Sequence, residues 1–349
     1  MHGRGKIRIE VLGDTGGASD MAEDVRVGLT TDPKDLSPWP KYFYDEEGSR
    51  LFEEITRLPE YYQTRTERSI LREKAREIVS RTRCTELVDL GSGSASKTRV
   101  LLDAMLDAHE PGGSTTGGEE RTVRYVPVDV SESALRESGE RLLEDYAGLE
   151  ICGYVGDFER LPERLPKNPV RRTPDGGPSG RLVIFLGGTI GNFTPEKRRS
   201  FLRNLRAGLR PEDHLLIGVD LVKDIRTVKA AYDDGAGVTA RFNKNLLKVL
   251  NERLGADFAP GRFEHRILYD AKEARIEMWL HSTVNQDVHL ADLNLKVRFA
   301  AGEGMRTEIS TKFTPDSISR TFDEVGLTLF ELYTDDQNLF GLALGKVKA

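Results

Sequence analysis

Two periodicities alternate through the middle of the chain. Short apolar runs at residues 86–90, 123–128, 151–155, 181–186 and 214–221 have the length and the bounding turn residues of buried strands. Between them, residues 96–109, 131–146 and 195–209 carry apolar side chains three and four apart, the spacing of a helix with one buried stripe. Ser131 is placed as an N-cap with Glu132 in the first turn, and Pro195 opens its helix. Strand and helix in this alternation predict an α/β fold, a parallel sheet with helices on both faces.

The pattern changes on either side. Residues 1–20 are Gly-rich and polar and predict a disordered leader. Residues 21–29, 48–58 and 64–82 have helical spacing, and Pro33, Pro38 and Pro40 force an extended link between the first two. Beyond Leu221, helices are predicted at 223–234 and 238–254, then strands at 263–269, 275–283, 293–299 and 305–310. This block reads as a separate α+β unit. A helix at 315–325 and strands at 327–333 and 340–344 close the chain. The Pro/Gly/Ser-rich stretches 110–120 and 166–180 read as surface loops.

Composition narrows the classes. The chain has 349 residues, 38% hydrophobic and 31% charged, which suits a globular protein of about two domains. No run approaches the roughly 20 apolar residues of a membrane span. The first twenty residues hold no apolar signal region, so the cytoplasm is the expected location. A net charge of −6 argues against a nucleic-acid partner. The two cysteines form no C-x-x-C, and the six histidines form neither H-x-H nor H-E-x-x-H, so no metal is expected. The absence of G-x-S-x-G argues against a serine hydrolase of the α/β type.

Candidate chemistry sits at successive strand ends. The first strand runs into Gly91-Ser92-Gly93-Ser94-Ala95-Ser96-Lys97, a turn that lets a ligand approach backbone at the carboxyl edge of the sheet. Ser96 stands where a dinucleotide fingerprint has its third glycine. The second strand ends at Asp129, placed to accept both hydroxyls of a ribose. The third leads to Asp157-Phe158, which can take an adenine amino group and stack on its ring. Together these describe a nucleoside pocket without a pyrophosphate cradle, as S-adenosylmethionine requires. Lys97 is placed to meet an acidic group of that cofactor. The fourth strand ends in Gly187-Gly188-Thr189-Ile190-Gly191-Asn192, beside the position of a methyl donor, and Asn192 offers one acceptor and two donors.

Longer segments carry a family resemblance. Lys41-Tyr42-Phe43-Tyr44-Asp45, Leu58-Pro59-Glu60-Tyr61-Tyr62-Gln63-Thr64-Arg65-Thr66-Glu67, residues 88–93 and 185–192, Asp220-Leu221-Val222-Lys223-Asp224, Ala231-Tyr232-Asp233-Asp234, Phe242-Asn243-Lys244-Asn245, Arg275-Ile276-Glu277-Met278 and residues 306–313 resemble the histidine Nα-methyltransferases of ergothioneine biosynthesis. The resemblance covers roughly residues 22–346. It implies a class I Rossmann-like methyltransferase sheet, finished by the terminal hairpin, with an inserted α+β substrate-binding domain. The implied division gives residues 62–222 and 312–349 to the methyltransferase domain, and 21–61 and 223–311 to the substrate domain. It further implies three methyl transfers from S-adenosylmethionine to the α-amine of L-histidine, giving hercynine. Gly91, Lys97, Asp129, Asp157 and Phe158 would hold the cofactor. Tyr61, Asn192, Tyr232, Glu308 and Ser310 would hold histidine, with Met278 beside the imidazole and Tyr44 near the amine. A monomer is expected. The sequence departs from the family at Ser94-Ala95 and at Leu332-Tyr333-Thr334-Asp335, neither of them an implied ligand.

Residue chemistry gives each of these a task. Tyr61, Asn192 and Tyr232 supply neutral donors for a carboxylate; Glu308 accepts an imidazole N–H, and Ser310 assists directly or through water. Tyr44 and Asn192 can orient a neutral amine. No strong base stands out, which leaves solvent to remove the amine proton. Three other readings stay open: methylation of another amino acid or small amine, a non-catalytic S-adenosylmethionine-binding module, and, last, a nicotinamide oxidoreductase. Without the resemblance, residues 307–312 read as an alternating strand with Glu308, Ser310 and Lys312 on its polar face.

Overall fold

The computed structural model describes residues 6–12, 18–93, 95–109, 123–146, 148–159 and 179–348. The two predicted surface loops lie outside the described residues except at their edges, and so does Ser94.

The central sheet has eight strands: β1 (Ile7–Val11), β3 (Cys84–Leu90), β4 (Val123–Asp129), β5 (Leu149–Val155), β6 (Gly180–Phe185), β7 (His214–Asp220), β13 (Leu327–Thr334) and β14 (Phe340–Val347). Their order is β1-β5-β4-β3-β6-β7-β14-β13. From β1 to β7 all pairs are parallel, and β14 runs antiparallel to both its neighbours. β3 and β6 are buried at every residue, as expected of central strands covered on both faces. On one face α3 (Gln63–Thr82) and α4 (Thr98–His109) bury Ile70, Leu71, Leu101 and Leu102. On the other, α6 (Pro195–Ala207) and α9 (Pro315–Asp323) bury Phe201, Leu202, Ile318 and Phe322. The Ser131 cap forms at the start of α5 (Glu132–Asp145), its hydroxyl accepting from the Ala134 N–H at 3.2 Å.

A second sheet has the order β2-β12-β9-β8, from β2 (Lys34–Asp35), β8 (Phe263–Asp270), β9 (Arg275–Ser282) and β12 (Gly304–Thr311). It packs with α1 (Ala18–Thr30), α2 (Glu46–Thr56), α7 (Ile225–Tyr232) and α8 (Val238–Leu254). One apolar core runs from Met21 through Tyr62 and resumes from Val228 to Met305. The N-terminal helices and the block after Leu221 therefore solidify as one unit. Its strand β12 continues into the large sheet, where Leu221 and Phe313 form a parallel bridge and the Phe313 N–H donates to the Asp220 carbonyl at 2.8 Å.

Two expectations need correction. Ile7–Val11, expected in a disordered leader, forms edge strand β1 against β5. Its alternation Ile7-Arg8-Ile9-Glu10-Val11 is a strand pattern masked by the glycines around it. The predicted strand at 293–299 is the second arm of a hairpin: β10 (Gln286–Leu290) pairs with β11 (Leu295–Phe299) across a short 3-10 turn, with Asn294 at φ 45°. β10 escaped detection because Gln286, Asp287 and His289 leave only Val288 and Leu290 buried. Among the described residues no helix is long and apolar enough to cross a membrane.

Candidate active site

The carboxyl ends of β3, β4 and β5 are adjacent in the sheet, so their loops converge. Gly91 and Gly93 both have positive φ, 75° and 49°, and a Cβ on Gly93 would meet nothing within 4 Å. The turn thus presents bare backbone to open space. Asp129 ends β4; one oxygen accepts from the Gly93 N–H at 2.9 Å and the other from the Ser131 N–H at 3.1 Å. Each oxygen keeps a lone pair for a ligand hydroxyl. Asp157 is buried; it accepts from the Glu159 N–H at 2.9 Å and pairs with the Lys41 ammonium at 3.2 Å. The Phe158 ring sits beside Gly91 and packs against Phe185 and Phe201.

Lys97 has a partner that the sequence did not suggest. Its ammonium pairs with the fully buried Glu67 of α3. The other Glu67 oxygen accepts from the Gly187 N–H at 2.7 Å. The Lys97 charge is balanced within the protein, which weakens its assignment to a cofactor carboxylate.

Between the two sheets lies a pocket whose wall includes Tyr44, Tyr61, Asn192, Tyr232, Met278, Glu308 and Ser310. Every residue assigned to histidine or its amine from sequence is therefore in one place. Asn192 ends a 3-10 turn after β6, entered through Gly187 and Gly188 at φ 85° and 73°. Gly191 in that turn lies so close to β12 that a Cβ would stand 2.8 Å from the Thr311 carbonyl. Tyr232 ends α7. Glu308 and Ser310 share a face of β12 by the two-residue strand period, and Met278 of β9 is the register partner of Glu308. Phe43 stacks on Phe242 at 4.9 Å, and Phe52 and Tyr44 close around the same ring, forming an aromatic wall.

Two features set the pocket's electrostatics. Glu308 is buried, and burial pushes its carboxyl up to about 7 against the pull of Lys312. Among the described residues it has no hydrogen-bond partner. Beneath the pocket lies a buried charge cluster that sequence reading left out. Asp220, at the end of β7, meets the Lys312 ammonium at 2.8 Å, the Lys223 ammonium, and the Tyr62 hydroxyl at 2.9 Å. Burial alone would raise the Asp220 carboxyl, but the two lysines hold it below its usual value. Burial lowers Lys223 to about 8. Lys312 is fully buried and also donates to the Tyr232 hydroxyl at 3.0 Å and the Ser310 hydroxyl at 2.9 Å. The available signal was Asp220 itself, a strand-end carboxylate like Asp129.

Tyr232 is braced from behind. Its carbonyl meets His265 Nε2 at 3.0 Å, and His265 Nδ1 meets the Asn243 amide nitrogen at 2.9 Å. The Asn243 oxygen accepts from Thr307 at 2.6 Å. Burial lowers the His265 pKa, so the ring is a neutral link that donates from Nε2 and accepts at Nδ1. Among the described residues no group of three His, Cys, Asp or Glu side chains is disposed to hold a metal ion.

The chain resembles characterised proteins along nearly its whole length. It is 47% identical to a histidine N-alpha-methyltransferase of Mycolicibacterium smegmatis over 94% of this chain and 95% of that one. It is 44% identical to the histidine N-alpha-methyltransferase of Mycobacterium tuberculosis over 95% of this chain and 97% of that one. An L-tryptophan methyltransferase of Psilocybe serbica is 26% identical over 89% of this chain and 88% of that one. The sequence profile described as "Histidine-specific methyltransferase, SAM-dependent" matches residues 21–347. With that match spanning both sheets and the pocket between them, the chain belongs to the family of SAM-dependent, histidine-specific methyltransferases.

Proposed function

We propose that the protein methylates the α-amino nitrogen of L-histidine three times in succession, with S-adenosylmethionine as donor, to give hercynine, the first step of ergothioneine biosynthesis. The observation that carries this reading is Glu308: a buried carboxyl without a hydrogen-bond partner among the described residues, on a pocket wall that also holds Tyr44, Tyr61, Asn192, Tyr232 and Ser310. An imidazole N–H is the group it lacks.

The residues at the carboxyl ends of β3, β4 and β5 fit the cofactor. The bare Gly91–Gly93 backbone leaves room for it, Asp129 retains lone pairs for ribose hydroxyls, and Asp157 and Phe158 suit an adenine amino group and ring. When bound, the cofactor supplies an electrophilic methyl carbon on a sulfonium. The chain's own task is to align a nitrogen lone pair and keep water out. Tyr61, Asn192 and Tyr232 donate to the histidine carboxylate. Glu308 accepts the imidazole N–H, with Ser310 beside it and Met278 against the ring. Tyr44 and Asn192 orient the amine, and the Phe43, Phe52 and Phe242 rings shield it. The amine must shed a proton before each transfer, since an ammonium has no lone pair. Solvent accepts that proton, because Glu308 is engaged by the ring and Asp220, the other carboxylate of the pocket wall, by Lys312 and Lys223. Transfer stops when the nitrogen is quaternary and has no lone pair left.

The relative named as an L-tryptophan methyltransferase makes a different amino acid the second reading. Here any apolar side chain would leave Glu308 buried without a donor, at a cost of about 1–3 kcal/mol, and an indole, which keeps one N–H, has no second ring nitrogen to accept from Ser310. Steady-state kinetics over the proteinogenic amino acids tests the choice. Histidine is expected to exceed tryptophan in kcat/KM by at least about tenfold. Equal or better use of tryptophan would contradict the assignment.

A further inference from the structure

Lys312 lies below the pocket, fully buried, and an ammonium has three hydrogens to give. All three have acceptors: the Asp220 carboxylate at 2.8 Å, the Ser310 hydroxyl at 2.9 Å and the Tyr232 hydroxyl at 3.0 Å. The two hydroxyls line the pocket on their other side. We infer that Lys312 is a positioning residue that turns Tyr232 and Ser310 into hydrogen-bond donors toward the substrate and so makes the pocket bind the imidazole of histidine as a neutral ring. The inference rests on the histidine reading above and deepens it.

The reasoning follows the hydrogens. A hydroxyl that accepts from an ammonium is polarised: its own O–H becomes a better donor and its remaining lone pair a poorer acceptor. Even with one bond between the two hydroxyls, one hydrogen still leaves the cluster toward the pocket. A substrate carboxylate outcompetes a hydroxyl as acceptor and draws the Tyr232 hydrogen. The Tyr232 oxygen, already engaged by Lys312, is then a poor target for Ser310, and a bare ring nitrogen is a good one. The ring nitrogen facing Ser310 must carry a lone pair, so its proton sits on the other nitrogen, facing Glu308. An imidazolium would instead press a second N–H against a polarised donor.

The surrounding charges agree. Asp220 from β7, Lys223 after it and Lys312 just beyond β12 sum to one positive charge under the Ser310 side. Glu308 is the one carboxylate on the pocket side of that strand. Among the described residues, Asp335, whose charge acts on Lys223, and Tyr44, Tyr61, Tyr62 and Tyr232 also face the cluster or pocket. The arrangement suits a carboxylate over the cluster and a ring N–H at Glu308, and it disfavours a cationic ring beside Ser310.

The test is 15N NMR of ring-labelled L-histidine bound to the full chain with S-adenosylhomocysteine, below the pKa of free imidazole. A neutral ring gives two widely separated nitrogen signals, one protonated and one bare; an imidazolium gives two similar ones. The wild-type complex is expected to show the separated pair, and Lys312→Met to show the cationic pair or an average. Ser310→Ala, which leaves Lys312 paired with Asp220, is expected to shift the signals the same way and covers the case in which Lys312→Met does not fold. Lys312→Met should also raise the histidine KM by at least about tenfold with a smaller change in kcat. A cationic ring in the wild-type complex would overturn the inference, and so would variants that keep the wild-type signals. In either case bound and methylated histidine would leave the substrate reading standing. Histidine that neither binds nor reacts would remove both.

Discussion

The Glu67 carboxylate accepts a hydrogen bond from the backbone N–H of Gly187 at 2.7 Å while its other oxygen pairs with Lys97. One fully buried side chain on α3 thereby ties the turn after β3 to the loop that carries Asn192. Glu67→Ala would strip a half-buried N–H and an ammonium of their partner together. The expected loss is about 3–5 kcal/mol of folding stability, read by urea unfolding. Glu67→Gln, which keeps an acceptor for Gly187, is expected to lose less. Equal losses would show that the Gly187 bond contributes nothing.

Gly218 of β7 is a glycine because of that carboxylate. A Cβ there would stand 2.1 Å from Glu67 Oε1 and 3.2 Å from the Gly187 nitrogen. Glu67 is pinned at both oxygens and cannot swing away. Gly218→Ala is expected to cost about 1–3 kcal/mol by overpacking. In the Glu67→Ala background the cost should shrink, so a double-mutant cycle is expected to be non-additive. An additive cycle would rule out the clash.

Glu308 should mark the stability of the ligand-free protein with a pH signature. An unfolded glutamate titrates at about 4.3, and burial raises this one to about 7. Between those values the folded state holds a proton that the unfolded state has lost, so this group's contribution falls as pH rises through the window. Below about 4.3 both states are protonated and the penalty vanishes; above about 7 it is complete. Glu308→Gln is therefore expected to gain melting temperature over wild type more at about pH 8 than at about pH 5, while weakening histidine binding. A constant difference across pH would place the charge elsewhere.

Asp129 joins the cofactor pocket through its own loop contacts. Asp129→Ala removes the acceptor for the Gly93 and Ser131 N–H groups and for the ribose. Calorimetry with S-adenosylhomocysteine is expected to show binding weaker by about 10–100-fold, the equivalent of about 1–3 kcal/mol. Unchanged affinity would remove Asp129 from the site.

Much of this architecture is legible in the sequence, because strand-end motifs and buried runs are local signals. The strands from β3 to β7 are continuous apolar segments, and Asp129 and Asp157 sit at their ends by spacing alone. The helix at 238–254 follows directly from its repeat. What escaped was non-local. Glu308 and Ser310 in β12 and Lys312 just beyond it alternate as a solvated face would, and only the packing of that segment over Asp220 turns the polar side inward. Lys97 looked like a ligand-facing cation because Glu67, thirty residues earlier, comes beside it only when α3 packs on the sheet. β1 escaped for the opposite reason, since five good residues lay inside a glycine-rich flank.

Mass spectrometry of L-histidine incubated with the purified protein and S-adenosylmethionine tests the central claim most directly. The account expects products with one, two and finally three methyl groups, all located by fragmentation on the α-nitrogen, with no methyl on the ring. Ring methylation, or an unmodified histidine beside a methylated different amino acid, would contradict it.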